Sequence, residues 1–97
     1  MAHEGENIVI KKGQTFRIVL KSNPTSGYRW LPTFDKSVIN LISHDFQPIP
    51  PSGIGQSGED VFIFVAVNHG SFNLKMVYKR GWEKRSVAER LFVIDVE

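Results

Sequence analysis

The sequence predicts an all-β, immunoglobulin-like sandwich of about seven strands, a single domain over residues 1–97. Short runs alternate apolar and polar residues with a period of two, turn-forming residues separate these runs, and no stretch carries a convincing helical pattern. A chain of 97 residues buries only about two-thirds of its unfolded surface, too little for a large catalytic cleft. A binding module fits that size better than an enzyme. There is no cysteine, so disulfides and thiolate chemistry are excluded and the core carries the stability alone. The net charge of +2 is too small to mark a nucleic-acid binder.

Asn7 to Lys11, with Ile8 and Ile10 on one face, reads as the first strand and ends at Lys12-Gly13. Thr15 to Lys21 sets Phe16, Ile18 and Leu20 against Arg17 and Lys21, the pattern of a half-buried strand. Tyr28 to Leu31 is extended until Pro32, and Asp35-Lys36 makes the next tight connection. Val38 to Phe46 is rich enough in Val, Ile and Leu for a fourth strand, although Val38-Ile39 and Leu41-Ile42 would also tolerate a helical turn. Gln47 to Gly58, crowded with proline and glycine, reads as a long surface loop. Val61 to Val67 is apolar on both faces, as suits a central strand. After Asn68-His69-Gly70, the residues Phe72, Leu74, Met76 and Tyr78 alternate with Asn73, Lys75 and Lys79 in the clearest strand of the chain. Arg80 to Val87 is a polar connection, and Arg90 to Val96 turns Phe92, Ile94 and Val96 inward.

If successive strands reverse direction, the short turns Lys12-Gly13, Asp35-Lys36 and Asn68-His69-Gly70 share one end of the sandwich. The Asn23, Gly53 and Arg80 connections then meet at the other, and loops gathered on a rigid scaffold are where binding function tends to sit. The first of them, Asn23-Pro24-Thr25-Ser26-Gly27-Tyr28, is the most constrained. Pro24 fixes its own φ and pushes Asn23 toward an extended conformation, while Gly27 can take positive φ. Thr25 and Ser26 put two small hydroxyls at the tip, and the alternating Tyr28 and Trp30 point to one face as an anchor in the core.

Several constellations carry no chemistry. Gly53-Ile54-Gly55-Gln56-Ser57-Gly58 matches the spacing of a dinucleotide fingerprint, but it follows Pro48, Pro50 and Pro51 and leads into a strand rather than opening a helix. Its glycines instead allow the backbone to lie against a partner. His3, His44 and His69 have no ligand spacing, so no metal or other cofactor is expected. His44-Asp45 forms no triad, because adjacent strand residues point to opposite faces; both read as strand surface. Asn23-Pro24-Thr25 is no glycosylation acceptor, owing to its central proline. Lys79, Arg80, Lys84, Arg85 and Arg90 surround Trp82 and are interrupted by Glu83 and Glu89, a run most often found on a solvated hairpin. An exposed Trp beside an Arg is also what an interface hot spot uses. No apolar run reaches membrane-spanning length and the first residues are too polar for a secretory signal. As written the chain is soluble and carries no address, which fits the cytoplasm, or a lysosomal, vesicular or secreted site if a signal was removed.

The three unusual loops, Asn23-Pro24-Thr25-Ser26-Gly27-Tyr28, the glycine-rich Gly53 to Gly58 and Arg80-Gly81-Trp82, resemble in order and spacing those of the chagasin-like inhibitors of cysteine peptidases, over nearly the whole chain. The resemblance implies a tight, reversible, non-covalent inhibitor of papain-like peptidases, cathepsin L-like enzymes among them, monomeric when free and needing neither nucleic acid nor membrane. It places Thr25, Ser26 and Gly27 over the catalytic cysteine and histidine. Trp82 would lie beside that histidine on the primed side, and the glycine loop along the non-primed side. This chain departs from the family pattern at Ser26, which replaces a second threonine; at Ser57 within Gly55-Gln56-Ser57-Gly58, where the family has a glycine; and at Gly81, where it has a proline. The competing readings are a polyanion-binding module working through Arg80 to Arg90 and an adhesion-type sandwich with incidental loops.

Overall fold

The structure, a computed structural model of the chain, describes residues 6–23, 27–49 and 57–97. Seven strands run in order: β1 (Glu6–Ile10), β2 (Thr15–Ser22), β3 (Tyr28–Thr33), β4 (Ile39–Pro48), β5 (Gly58–Ala66), β6 (Gly70–Arg80) and β7 (Ala88–Val96). They form two sheets, one of order β1-β7-β6-β3 and one of order β2-β5-β4. All pairings are antiparallel except β1 with β7, which is parallel, as alternating strand direction requires of the first and seventh strands. The arrangement is an immunoglobulin-like sandwich with its first strand added to the edge of the sheet that holds the last.

The alternating faces account for the core. Ile18 and Leu20 from β2, Leu74 and Met76 from β6, and Phe92, Ile94 and Val96 from β7 are buried together with Trp30, Ile39, Phe62, Phe64 and Ala66. Ile8, Ile10, Phe16, Phe72 and Tyr78 pack around them. β5 is central, with β2 on one side and β4 on the other. That explains its doubly apolar sequence: Phe62 and Phe64 fill the core, while Ile63 and Val65 are half-buried on the outer face, where Arg17 and Thr15 lie opposite.

Two expectations are corrected and a third is refined. β3 does not stop at Pro32 but continues to Thr33, with Pro32 opposite Met76. This is possible because β3 is an edge strand, where a missing N–H need not interrupt a ladder. Gln47 to Gly58 is not loop throughout, since Gln47 and Pro48 pair with Glu59 and Gly58, and Ile49 N–H donates to Ser57 O (3.1 Å) beyond them. His44 and Asp45 are both exposed, as expected of strand surface, but the side of the sheet on which His44 lies is set by an irregularity of β4. The register of β4 on β5 shifts between Leu41 and Ser43, leaving Ile42 as the extra residue of a β-bulge. That insertion exchanges the faces of every later residue, so His44 and Phe46 share a face with Phe62 and Asp60, their partners on β5, while His44 stays exposed on the edge strand. His44 stacks on Phe62 with ring centroids 4.0 Å apart, and its Nε2 lies 2.9 Å from Oδ1 of the buried Asp60.

The ends of the strands sort into two poles. At one, Gly13 N–H donates to Ala66 O (2.8 Å), Lys12 N–H to Glu97 O (3.2 Å), and the N–H groups of Val67 and Asn68 both to Val38 O (2.8 and 3.2 Å). All three short turns meet there. At the other pole Gly58 pairs with both Ser22 and Pro48, and Tyr28 pairs with Arg80.

Candidate functional site

That second pole receives both ends of the Asn23, Gly53 and Arg80 connections. Of the site residues expected from sequence, Asn23, Gly27, Tyr28, Ser57, Gly58, Arg80, Gly81 and Trp82 are found at this pole, whereas Pro24, Thr25, Ser26, Gly53, Gly55 and Gln56 lie outside the described residues.

A ladder of stacked side chains builds the centre of the pole from the core outward. β3 and β6 pair so that Trp30 faces Tyr78 and Tyr28 faces Arg80. The Trp30 and Tyr78 rings stack at 4.7 Å, the Tyr78 and Tyr28 rings at 5.4 Å, and the Arg80 guanidinium then lies 4.7 Å from the Tyr28 ring centre. The same guanidinium is 5.7 Å from the Trp82 ring, which closes the ladder. Each aromatic step contributes about 0.5–1.5 kcal/mol beyond area burial, and each cation–π step about 0.5–1 kcal/mol where water has access. Two hydrogen bonds tie β2 and its exit to the ladder: Trp30 Nε1–H donates to Lys21 O (3.0 Å), and Asn23 N–H to the Tyr78 hydroxyl (3.2 Å). The entry to the first loop is thereby held against the base of the third.

Gly27 adopts φ +85°, the left-handed conformation anticipated for it. A β-carbon there would sit 3.7 Å from Trp82 Cη2 and 4.0 Å from Arg80 Nε, so the first and third loops lie side by side with room for little more than the bare glycine. Trp82 is 75% exposed, the most exposed large apolar side chain among the described residues. Glu83 N–H donates to Arg80 O (3.1 Å), closing a four-residue turn with Gly81 and Trp82 at its tip, and Glu83 Oε2 lies 3.8 Å from Arg80 Nη1. Two open hollows flank Tyr28. One, of about 420 Å3, is lined by Gly27, Arg29, Gly81 and Trp82; the other, of about 410 Å3, by Glu83, Lys84, Arg85 and Val87.

Gly58 has a different role from the other loop glycines. It is buried, and a β-carbon on it would come within 2.5 Å of both Gln47 O and the Phe46 ring, so its bareness is a packing requirement of β4 on β5. Tyr78 and Arg29 were not singled out by sequence reasoning. The signal for Tyr78 was present, since it continues the inward row of β6 two residues before Arg80.

No nucleophile, base and orienting group converge at this pole among the described residues; it offers rings, cations and backbone for contact. The fold and site define a binding scaffold, with loops displayed at one end of a rigid sandwich. Residues 9–96 match the family described as chagasin family peptidase inhibitor I42, and the chain belongs to that family. It is accordingly an inhibitor and not an enzyme. Amoebiasin-1 of Entamoeba histolytica is 27% identical over 89 residues, 92% of this chain and 86% of that protein. Among solved structures, the cysteine protease inhibitor EhICP2 from Entamoeba histolytica superposes with a TM-score of 0.82 at 22% identity, covering 98% of this chain and 87% of the other. Amebosin gives 0.76 at 22% identity, with 94% and 88% covered. The Leishmania mexicana ICP gives 0.65 at 23% identity, with 98% and 90% covered.

Proposed function

We propose that this protein is a tight, reversible, non-covalent inhibitor of papain-like cysteine peptidases, including cathepsin L-like enzymes, and that it works by plugging the active-site cleft with the loops of its second pole. The observation that carries this reading is the adjacency of the first and third loops, in which Gly27 lies beside Trp82 and the Arg80 ladder. It is supported by the chagasin family match and by the fold shared with a protein described as a cysteine protease inhibitor. The first loop, Asn23 to Tyr28, presents Thr25 and Ser26 to the catalytic cysteine and histidine. Trp82 covers the primed side, and the segment from Gly53 through Gly55, Gln56 and Ser57 follows the non-primed side.

Binding of this kind depends on prior order. Tyr28 and Gly27 are held by the ladder before a partner arrives, so less ordering entropy is lost on association and dissociation is slow. The inhibitor acts as a monomer and is not consumed, because Pro24 and Gly27 stiffen a turn whose carbonyls are not offered to the thiolate as a substrate's are. Titration of active papain tests the reading: stoichiometric inhibition at nanomolar concentration, with serine peptidases untouched and the Asn23–Tyr28 segment intact by mass spectrometry, is expected. Full papain activity at micromolar protein excludes it.

A further inference from the structure

The ion pairs at the second pole leave a group of cations uncompensated. Both acids that interrupt the basic run in sequence are already engaged, Glu83 with Arg80 of the run itself (3.8 Å) and Glu89 with Lys75 (3.7 Å) and the Ser86 hydroxyl (3.2 Å). Arg29, Lys79, Lys84 and Arg85 have no ion pair among the described residues. Arg29 and Lys79 are opposed directly across β3 and β6, a like-charge pairing that costs sheet stability. Lys84 and Arg85 line the hollow on one side of Tyr28, and Arg29 lines the hollow on the other side, next to Trp82. Other lysines and arginines without an ion pair among the described residues, such as Lys11, Arg17 and Lys36, lie away from the third loop, whereas these four stand on β3, β6 and the Arg80 connection around Tyr28 and Trp82.

Resting on the inhibitory function proposed above, we infer that the third-loop side of the pole is an electrostatic docking surface that selects peptidases whose cleft rim is acidic on the side Trp82 covers. Charges that ring an interface without being buried in it act mainly on the encounter, raising the association rate and rejecting partners of like sign. The central contact then sets how long the complex lasts. A protein partner is favoured over a polyanion because the cations surround an exposed tryptophan and two hollows of side-chain size, with Glu83 among them, instead of forming an uninterrupted basic track.

The test compares native papain with papain succinylated on its surface amines, which makes the same cleft strongly acidic at its rim. Retained activity on a small peptide substrate and active-site titration control for damage to the enzyme. At about 20 mM salt the association rate constant should be about tenfold or more higher for the succinylated enzyme, the difference should nearly vanish at about 0.5 M, and dissociation should be unchanged. The double variant Lys84→Glu with Arg85→Glu should lose that preference while still inhibiting both enzymes completely at high concentration, and Arg29→Gln should weaken it in the same direction. Thermal melts establish that the variants fold. Equal association rates for the two papains, or a charge effect confined to dissociation, overturn the inference while leaving the inhibitor intact. Failure to inhibit either papain removes the functional reading, and the inference falls with it. Retention of the protein on heparin at physiological salt, abolished in the double variant while papain association is unaffected, assigns the patch to polyanions and also overturns it.

Discussion

The Arg80 guanidinium lies 4.7 Å from the centre of the Tyr28 ring, and through this stack the exposed Trp82 is coupled to Trp30 in the core. The loop tip is held by a column that begins in the sandwich. Trp82→Ala should therefore weaken inhibition by about 2–4 kcal/mol, the loss expected of an aromatic anchor in a desolvated pocket. Thr25→Ala should cost about 1 kcal/mol, one neutral hydrogen bond. Ser26→Arg, which forces bulk against the cleft floor, should lose more than either. Inhibition constants for the three variants, with circular dichroism to establish folding, measure the order; parent-like inhibition by Ser26→Arg means that the first loop does not enter the active site.

Gly81 is placed to accept a proline. A β-carbon there meets nothing within 4 Å, and the residue occupies the second position of the turn closed by Glu83 N–H and Arg80 O, where proline's fixed φ is favoured. Gly81→Pro should raise stability by about 0.4–1 kcal/mol through the unfolded chain. By ordering Trp82 in advance it should also slow dissociation from papain. Chemical denaturation and progress-curve kinetics read the two effects separately.

His44 donates to or pairs with a buried carboxylate, Asp60, at 2.9 Å. Removing the imidazole leaves that carboxylate in the sandwich with its cross-strand partner gone. His44→Ala should lower folding stability by about 1–3 kcal/mol, measured by urea denaturation at neutral pH. Asp60→Asn, which keeps a hydrogen-bonding group at the site, should cost less. Inhibition per folded molecule should be unchanged in both.

Asp35 gives the fold a defined acid response. The Ser37 hydroxyl and then the Ser37 N–H hydrogen-bond its carboxylate and hold its pKa below the ordinary carboxylate value. A depressed folded-state pKa contributes stability that is fully present above the unfolded value and is lost as pH falls through the folded value. Asp35→Asn should remove that contribution above the carboxylate range and flatten the fall of stability below it. Because the turn lies at the pole away from the loops, inhibition of papain should not change. Thermal melts across acidic pH measure the first effect and papain titration the second.

Local alternation was enough to assign the faces of β2, β6 and β7, because side-chain direction along a strand is a backbone property that repeats every second residue. Strand count and alternating direction were enough to bring the Asn23, Gly53 and Arg80 connections to one pole, and proline and glycine chemistry foretold the positive φ of Gly27. The placing of His44 on the same face as Phe62 was not legible in this way. It depends on the bulge at Ile42, which exists only in the pairing of β4 with β5 and reverses every face after it. Gly58 likewise reads as a loop glycine until the Phe46 ring and Gln47 carbonyl are seen to occupy the space of its side chain. The coupling of Trp82 to the core, and the engagement of Glu83 and Glu89 that leaves Arg29, Lys79, Lys84 and Arg85 unpaired, also required tertiary structure. Composition counts charges, but which acid satisfies which base is decided by the register of strands that are distant in the chain.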